Sequence, residues 1–395
     1  AMLCSASELR YAKEGVKCGV RVDGRARNEL RPMVVECDLF PQPNGSARVT
    51  VPPSGSDAVA GVKADIVEVD PATPDQGVVE VSVTLGAGAA SATSQRDADN
   101  QASALTAALQ ESLCAPGAFD LAGLCIAKGR YAWRIFVDVT VLQLRGNAVG
   151  TVSLAAYAAL QRARLPKLRV SAVSAADGFE EADEAWDPAS GSSTAPTSSG
   201  AGEQEEAAAV DVEIEVVDDA DASVSLADLC SADKAPVCVS YAVVDGVLVV
   251  DPLPEEESGA QATVRVSVNR SGAVVAVRTA EADAALGVGA AATTAQSGDG
   301  EAGAEAAAAR VVTPLAAGMV ETALGLARDH AATLFAAVDS GMAAASRRAT
   351  AMEEADARAV RALAERYGDL PAAAAAVADS VMADASKART GKARA

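Results

Sequence analysis

The densest candidate chemistry in the chain lies in ten residues, VVDPLPEEES at 249–258. A run of apolar β-branched residues ends on Asp251, and Glu255, Glu256 and Glu257 follow a Pro-Leu-Pro spacer. Carboxylates gathered just past a strand end suit a hard divalent cation or acid–base work. A solvated loop has the same composition. Other chemistry is sparse. His330 is the single histidine, and it lies on an apolar helix face, where it reads as a core or edge residue. One histidine makes a Ser–His triad hard to assemble. The seven cysteines (Cys4, Cys18, Cys37, Cys114, Cys125, Cys230, Cys238) are scattered without a C-x-x-C pair. They read as reduced intracellular thiols, and the ligand spacing of a zinc site is missing. The motifs G-x-G-x-x-G, G-x-x-x-x-G-K-[ST], G-x-S-x-G and H-E-x-x-H are absent, and GAGAAS at 86–91 reads as a loop. No metal and no cofactor are expected.

Any site must be positioned by the elements around it. Ser5 begins a short helical pattern, and a Gly- and Arg-rich turn, GVRVDGRARNELRP, follows it. MVVECDLF, SARVTV, DAVAGVKADIVEV and GVVEVSVTLG have the Val-rich alternation of strands, with turn residues between them. Residues 97–113 switch to helical spacing. AWRIFVDVTVLQL at 132–144 is continuously apolar and reads as a central strand, and AVGTVSLAAYAALQRARLP as a buried helix stopped by Pro166. Residues 176–209 are acidic, then Ser/Thr/Gly/Pro-rich, and read as a disordered insertion; 281–309 is a second low-complexity segment. Strands resume between them, with hairpin turns at Asp245-Gly246 and Ser271-Gly272. Pro314 suits a first helical turn. Leu315, Met319, Ala323, Leu326, His330 and Leu334 then share one helix face, and the helical pattern runs on to about Tyr367 before a small basic tail. The class is α/β, mixed α+β. The expected organisation is one domain over 1–175, the insertion 176–209, a second domain over 210–350 and a helical extension over 351–395.

The 395 residues are long enough for a substantial core, but aromatics make up only 3%, so the core must be Val, Leu and Ala. The formal net charge of −21 excludes nucleic-acid binding by bulk charge. Any RNA contact would need a local basic patch, and the candidates are GVRVDGRAR, Lys63, Arg96 and KGR at 128–130. Each of these also reads as a solvated or ion-paired group. No uncharged run is apolar enough to span a bilayer, and a soluble intracellular protein is expected.

Taken in order, several stretches resemble the RNase PH family, most closely its exosome ring branch. They are GVRVDGRARNELRP, NGSARVTV, GVKADIVEVDPATPDQG, FDLAGLCIAKGRYAWRIFVDVTVLQLRGNAVG and VVDPLPEEES. The resemblance covers about residues 8–170 and 210–275. It implies an RNase PH-like fold (ribosomal protein S5 domain 2-like) with a second, smaller RNase PH domain.

Active members of the family shorten RNA from its 3′ end by attack of inorganic phosphate. They use a Gly-Gly-Thr-Arg turn, an arginine at a nearby helix start and an aspartate beyond the acidic strand end. Here the turn falls on Gly146-Asn147-Ala148-Val149 and the aspartate on Thr263, while Arg96 is the candidate for the helix-start arginine. Valine cannot bind phosphate and threonine stays neutral, so the resemblance implies a catalytically silent subunit and an acidic loop that is a relic of an active site. It further implies a hexameric hetero-ring with other RNase PH-type subunits, S1/KH cap subunits, an associated exoribonuclease and single-stranded RNA in a central channel. Lys63 and Arg96 are the expected RNA-binding residues, and the location is nucleus and nucleolus, also cytoplasm. Two other readings compete. One is an active phosphate-dependent 3′ exoribonuclease, and the other a metal enzyme using Asp251 and Glu255–Glu257.

Overall fold

A computed structural model describes residues 5–53, 55–89, 95–115, 118–173, 184–185, 211–216, 223–231, 234–281 and 317–366. Apart from a two-residue strand at Glu184–Ala185, the expectations for 176–209 lie outside these residues, as do those for 281–309, Pro314 and Leu315.

The first element, α1 (Ala6–Cys18), starts with a reciprocal cap: Ser5 Oγ accepts from Glu8 N, and Glu8 Oε2 accepts from Ser5 N at 2.7 Å. The strands β1 (Val34–Cys37), β2 (Gly45–Thr50), β3 (Asp57–Glu68) and β4 (Val78–Leu85) follow. Next come α2 (Gln95–Leu113), β5 (Cys125–Ala127) and β6 (Tyr131–Gln143). Together the strands form a six-stranded sheet in the order β1-β2-β3-β6-β4, with β5 also on β6. All pairings are antiparallel except β4 on β6.

β6 is central by pairing, as its apolarity suggests, yet it alternates. Trp133, Ile135, Val137, Val139 and Val141 are buried, while Arg134, Phe136, Asp138 and Thr140 face the open side. Among the described residues only one face of this sheet is covered, and the period-two alternation wins over the length of the apolar run.

The covering helix is α3 (Ala148–Arg162), buried without a break from Val149 to Leu160. A helix apolar on all sides must be enclosed on all sides. α3 packs on β2 and β3 from one side and on β12 (Val237–Val244) from the other. It ends at Arg162, four residues before Pro166, because the chain turns into β7 (Arg164–Pro166), which pairs with β11 (Ser223–Ser225). β8 (Leu168–Val173) pairs with β9 (Glu184–Ala185) and with β10 (Asp211–Val216), and the short helix α4 (Leu226–Leu229) follows β11.

In the second half a four-stranded antiparallel sheet runs β13-β12-β14-β15, with β13 at Val247–Val250, β14 at Ala262–Val268 and β15 at Val274–Glu281. Both expected hairpin turns are present, with Gly246 and Gly272 in the left-handed region at φ 80° and 79°. The end of the acidic stretch, with Gly259 after it, forms α5 (Pro254–Gly259). The last helix, α6 (Ala317–Arg366), runs through residue 350 without interruption.

The apolar stripe of α6, Ala323, Ala327, Ala331, Leu334, Val338 and Ala345, is buried, and Phe335 meets Tyr157 of α3 edge-on at 5.0 Å. Past Arg348, which bonds Cys37 O at 3.0 Å, the described side chains are mostly exposed. His330 is a core-edge residue, as its position suggests. Its Nε2 lies 2.9 Å from the Asn28 carbonyl and so carries the hydrogen, leaving Nδ1 to accept from Tyr241 OH at 2.9 Å. Among the described residues, no helix is long and apolar enough to cross a membrane.

Candidate functional site

The acidic loop is sealed from solvent at Asp251 and Glu256. Asp251 is fully buried and takes a left-handed backbone, φ 48°, at the end of β13. Arg31 grips its carboxylate from two sides, Nη2 to Oδ1 at 2.7 Å and Nε to Oδ2 at 2.8 Å, while Arg31 N adds a third bond at 2.9 Å. Asn147 Nδ2 donates to Oδ1 at 2.7 Å, and Arg25 Nη1 lies 3.2 Å from Oδ2. Burial alone would raise the Asp251 pKa, but the Arg31 guanidinium and these donors hold it below the ordinary carboxylate value.

A second pair is deeper still. Arg21 holds Glu256 through Nε at 2.9 Å and Nη2 at 2.7 Å, with both side chains fully buried. The same guanidinium donates to the carbonyls of Val250 and Asp251, so four of its contacts converge on one loop. A solvated surface position, one reading of this stretch, is therefore ruled out for Glu256, and Asp251 is sealed with it: a fully desolvated carboxylate persists only when paired, and the Arg-rich turn supplies the partners. Glu255 keeps partial exposure. Sequence reading found both halves of this network separately. It missed that they meet, because the partners are separated by more than 200 residues.

Glu257 belongs to a third arrangement. Its Oε1 accepts from Asn147 N at 2.7 Å, at the start of α3. Asn147 is itself left-handed, φ 47°, and its side chain caps the helix by accepting from Gly150 N at 3.1 Å. Gly146 before it is required twice over. Its φ is 74°, and a Cβ would stand 2.5 Å from Pro252 O. Burial pushes the Glu257 carboxyl up to about 7, against the pull of Asn147 N, Arg31 and Arg265.

Asp251 and Glu257 thus respond to pH with opposite signs. The native state binds its Glu257 proton more tightly than the unfolded chain does, so that contribution to stability is complete below about pH 4.5 and is lost as pH rises through about 7. The Asp251 contribution is complete above its ordinary pKa and is lost as acid titrates the lowered value. Glu257→Gln keeps an acceptor for Asn147 N. It is expected to flatten the stability profile between pH 5 and 8 and to raise stability at pH 8 by roughly 1–3 kcal/mol. Thermal melts across that range check it, and unchanged pH dependence would refute it.

These loops wall a cleft of about 570 Å³, closed on the other sides by α2, the end of β6 and the β12–β14 pair. Val149 and Thr263, the positions matched to the phosphate-binding arginine and catalytic aspartate, both line it, each largely buried. Lys63 and Arg96 do not. Lys63 is exposed on the open face of β3 opposite Phe136, and Arg96 is exposed in the first turn of α2. Among the described residues, no hydrogen bond or ion pair engages the side chain of either. The Arg-rich turn, by contrast, is consumed in ion pairing and backbone bonds. Among the described residues, no cluster of three or more His, Cys, Asp or Glu side chains has the arrangement of a metal site.

The two sheets, the helix enclosed between their halves and the cleft at its N-terminus define a two-part RNase PH-type fold. Residues 29–166 match the model of the 3′ exoribonuclease family, domain 1, and residues 234–286 that of domain 2. The chain belongs to this family. It is 33% identical over 286 residues to the exosome complex component rrp42 of Schizosaccharomyces pombe, covering 70% of this chain and 82% of that protein. It is 26% identical to exosome complex component Rrp42 of Pyrococcus abyssi, over 67% of this chain and 79% of that protein. In fold it resembles a chain of the Archaeoglobus fulgidus exosome with RNA bound to the active site, at a TM-score of 0.53 and 20% identity, covering 83% of this chain and 96% of that one.

Proposed function

We propose that the chain is a non-catalytic ring subunit of an exosome core, supporting 3′-to-5′ processing and degradation of RNA, ribosomal RNA included, by threading it to an associated nuclease. One observation carries the absence of chemistry. Val149 and Thr263 line the cleft, and the family resemblance matches them to the phosphate-binding arginine and the catalytic aspartate; neither side chain can be charged. The nearby carboxylates do not replace them, since Asp251 and Glu256 are locked to arginines and Glu257 to Asn147 N. The relatives named as exosome components support the ring role.

In this reading the partners are other RNase PH-type subunits in a hexameric hetero-ring, S1/KH cap subunits, a bound exoribonuclease and single-stranded RNA. The location is nucleus and nucleolus, also cytoplasm. Lys63 and Arg96 are the proposed channel-facing cations, because exposed cations on an acidic chain are where a phosphate backbone finds contact.

Two experiments test it. Incubated with labelled RNA, phosphate and magnesium, the purified chain is expected to release no nucleoside diphosphates; phosphate-dependent release would overturn the proposal. Expressed alone, the chain is expected to aggregate or form ill-defined oligomers, and co-expression with a ring neighbour to rescue it, since obligate interfaces bury thousands of Å². A monodisperse, heat-stable monomer would contradict the ring assignment.

A further inference from the structure

Three features make the cleft unusual as an anion site. First, the chain supplies its own anion. The Glu257 carboxyl takes Asn147 N, and the Asn147 side chain takes Gly150 N, so two of the backbone donors at the start of α3 are already used. Second, the two guanidinium groups on its wall, Arg145 and Arg265, are both engaged in interactions of their own. Third, the polar groups left over are neutral. Among the described residues, Thr263 Oγ1 and Ser240 Oγ are buried without a nitrogen or oxygen partner, in residues only 7% exposed. The Ser240 hydroxyl does interact with the Cys238 thiol, but a thiol is only a weak acceptor.

The sheet register explains why both hydroxyls serve the same space. Ser240 of β12 stands opposite Arg265 of β14, and Thr263 follows two residues along on the same face. All three line the cleft, whose remaining wall includes the apolar side chains of Leu105, Leu142 and Val149. A buried hydroxyl with no partner costs on the order of 1–3 kcal/mol, which a bound donor or acceptor would recover. A volume of about 570 Å³ lies within the usual range for small-molecule sites.

We propose that this cleft binds an uncharged ligand of nucleoside size, with hydroxyl or amide groups for Ser240 and Thr263 and an apolar body for the leucine and valine wall. The inference goes beyond the ring assignment and stands without it. It reverses the electrostatic preference that a phosphate site would have. Phosphate would meet the Glu257 carboxylate at the helix start, whereas a neutral ligand meets two waiting hydroxyls.

The test uses the full chain assembled with its co-purifying subunits, so that wild-type and variant complexes differ only at this cleft. Calorimetry at pH 8 with adenosine, uridine, adenosine monophosphate and inorganic phosphate is the measurement. Saturable binding of a neutral nucleoside is expected, at least tenfold tighter than the monophosphate. It should weaken about tenfold in either Ser240→Ala or Thr263→Val, the value of one hydrogen bond. No difference between wild-type and variant complexes, or tighter binding of phosphate or the monophosphate, would overturn it. Ligand-free melting gives a second reading. Thr263→Val removes an unpartnered hydroxyl without changing shape, so its complex should melt at or above the wild-type temperature; a clearly lower melting point would mean the hydroxyl is already satisfied, and the proposal fails.

Discussion

Changing Asp251 to alanine is expected to destabilise the protein by about 3–5 kcal/mol, the range found when one partner of a buried ion pair is removed. Position on a turn would suggest far less, on the order of 1 kcal/mol for a lost cap. The difference lies in what remains after the deletion. Arg31 is a buried cation held by both carboxylate oxygens, and Arg25 leans on the same group. With the carboxylate gone, Arg31 keeps its hydrogen bonds to the carbonyls of Arg145 and Gly146 but no paired carboxylate in contact, and Asn147 loses the acceptor that orients its side chain over α3. Asp251→Asn should cost somewhat less, because one oxygen still accepts. Chemical denaturation of the assembled complex measures both, and a loss below 1 kcal/mol for the alanine variant would refute this account.

The second large effect separates three neighbouring glutamates. Glu256→Gln is expected to cost about 3–5 kcal/mol, since it leaves the fully buried Arg21 guanidinium facing a neutral amide. Glu255→Gln, at a partly exposed position, is expected to stay within about 0.5 kcal/mol. Glu257→Gln should be stabilising above pH 7, for the reason given with its raised pKa. The triple change to glutamine should therefore impair assembly through Glu256 and lower RNA turnover only as far as the ring is lost. Equal effects at 255, 256 and 257 would mean that the loop acts through its net charge. Loss of RNA degradation with the ring intact would make the loop functional, and the structural account of it wrong. Replacing Arg21 together with Glu256 by leucine and methionine should recover most of the stability, because a packed apolar pair dispenses with two desolvation penalties.

The elements themselves were legible from the chain. Local signals mark them: a serine three residues before a glutamate at α1, Asp-Gly and Ser-Gly between apolar runs at the two hairpins, and the three- and four-residue steps that put Ala323, His330 and Leu334 on the buried side of α6. Each depends on residues within a few positions of one another, which is the range over which propensity and capping act. The family motifs were equally legible, because Gly146 through Val149 and the loop after β13 keep their order and spacing. What Asp251 and Glu256 do was not. Their partners Arg21 and Arg31 follow α1 in the chain, and they reach the loop because α1 packs against α5 and β13 in the folded protein. A carboxylate in water and one sealed against a guanidinium have the same sequence; burial alone separates them, and burial is a property of the tertiary fold.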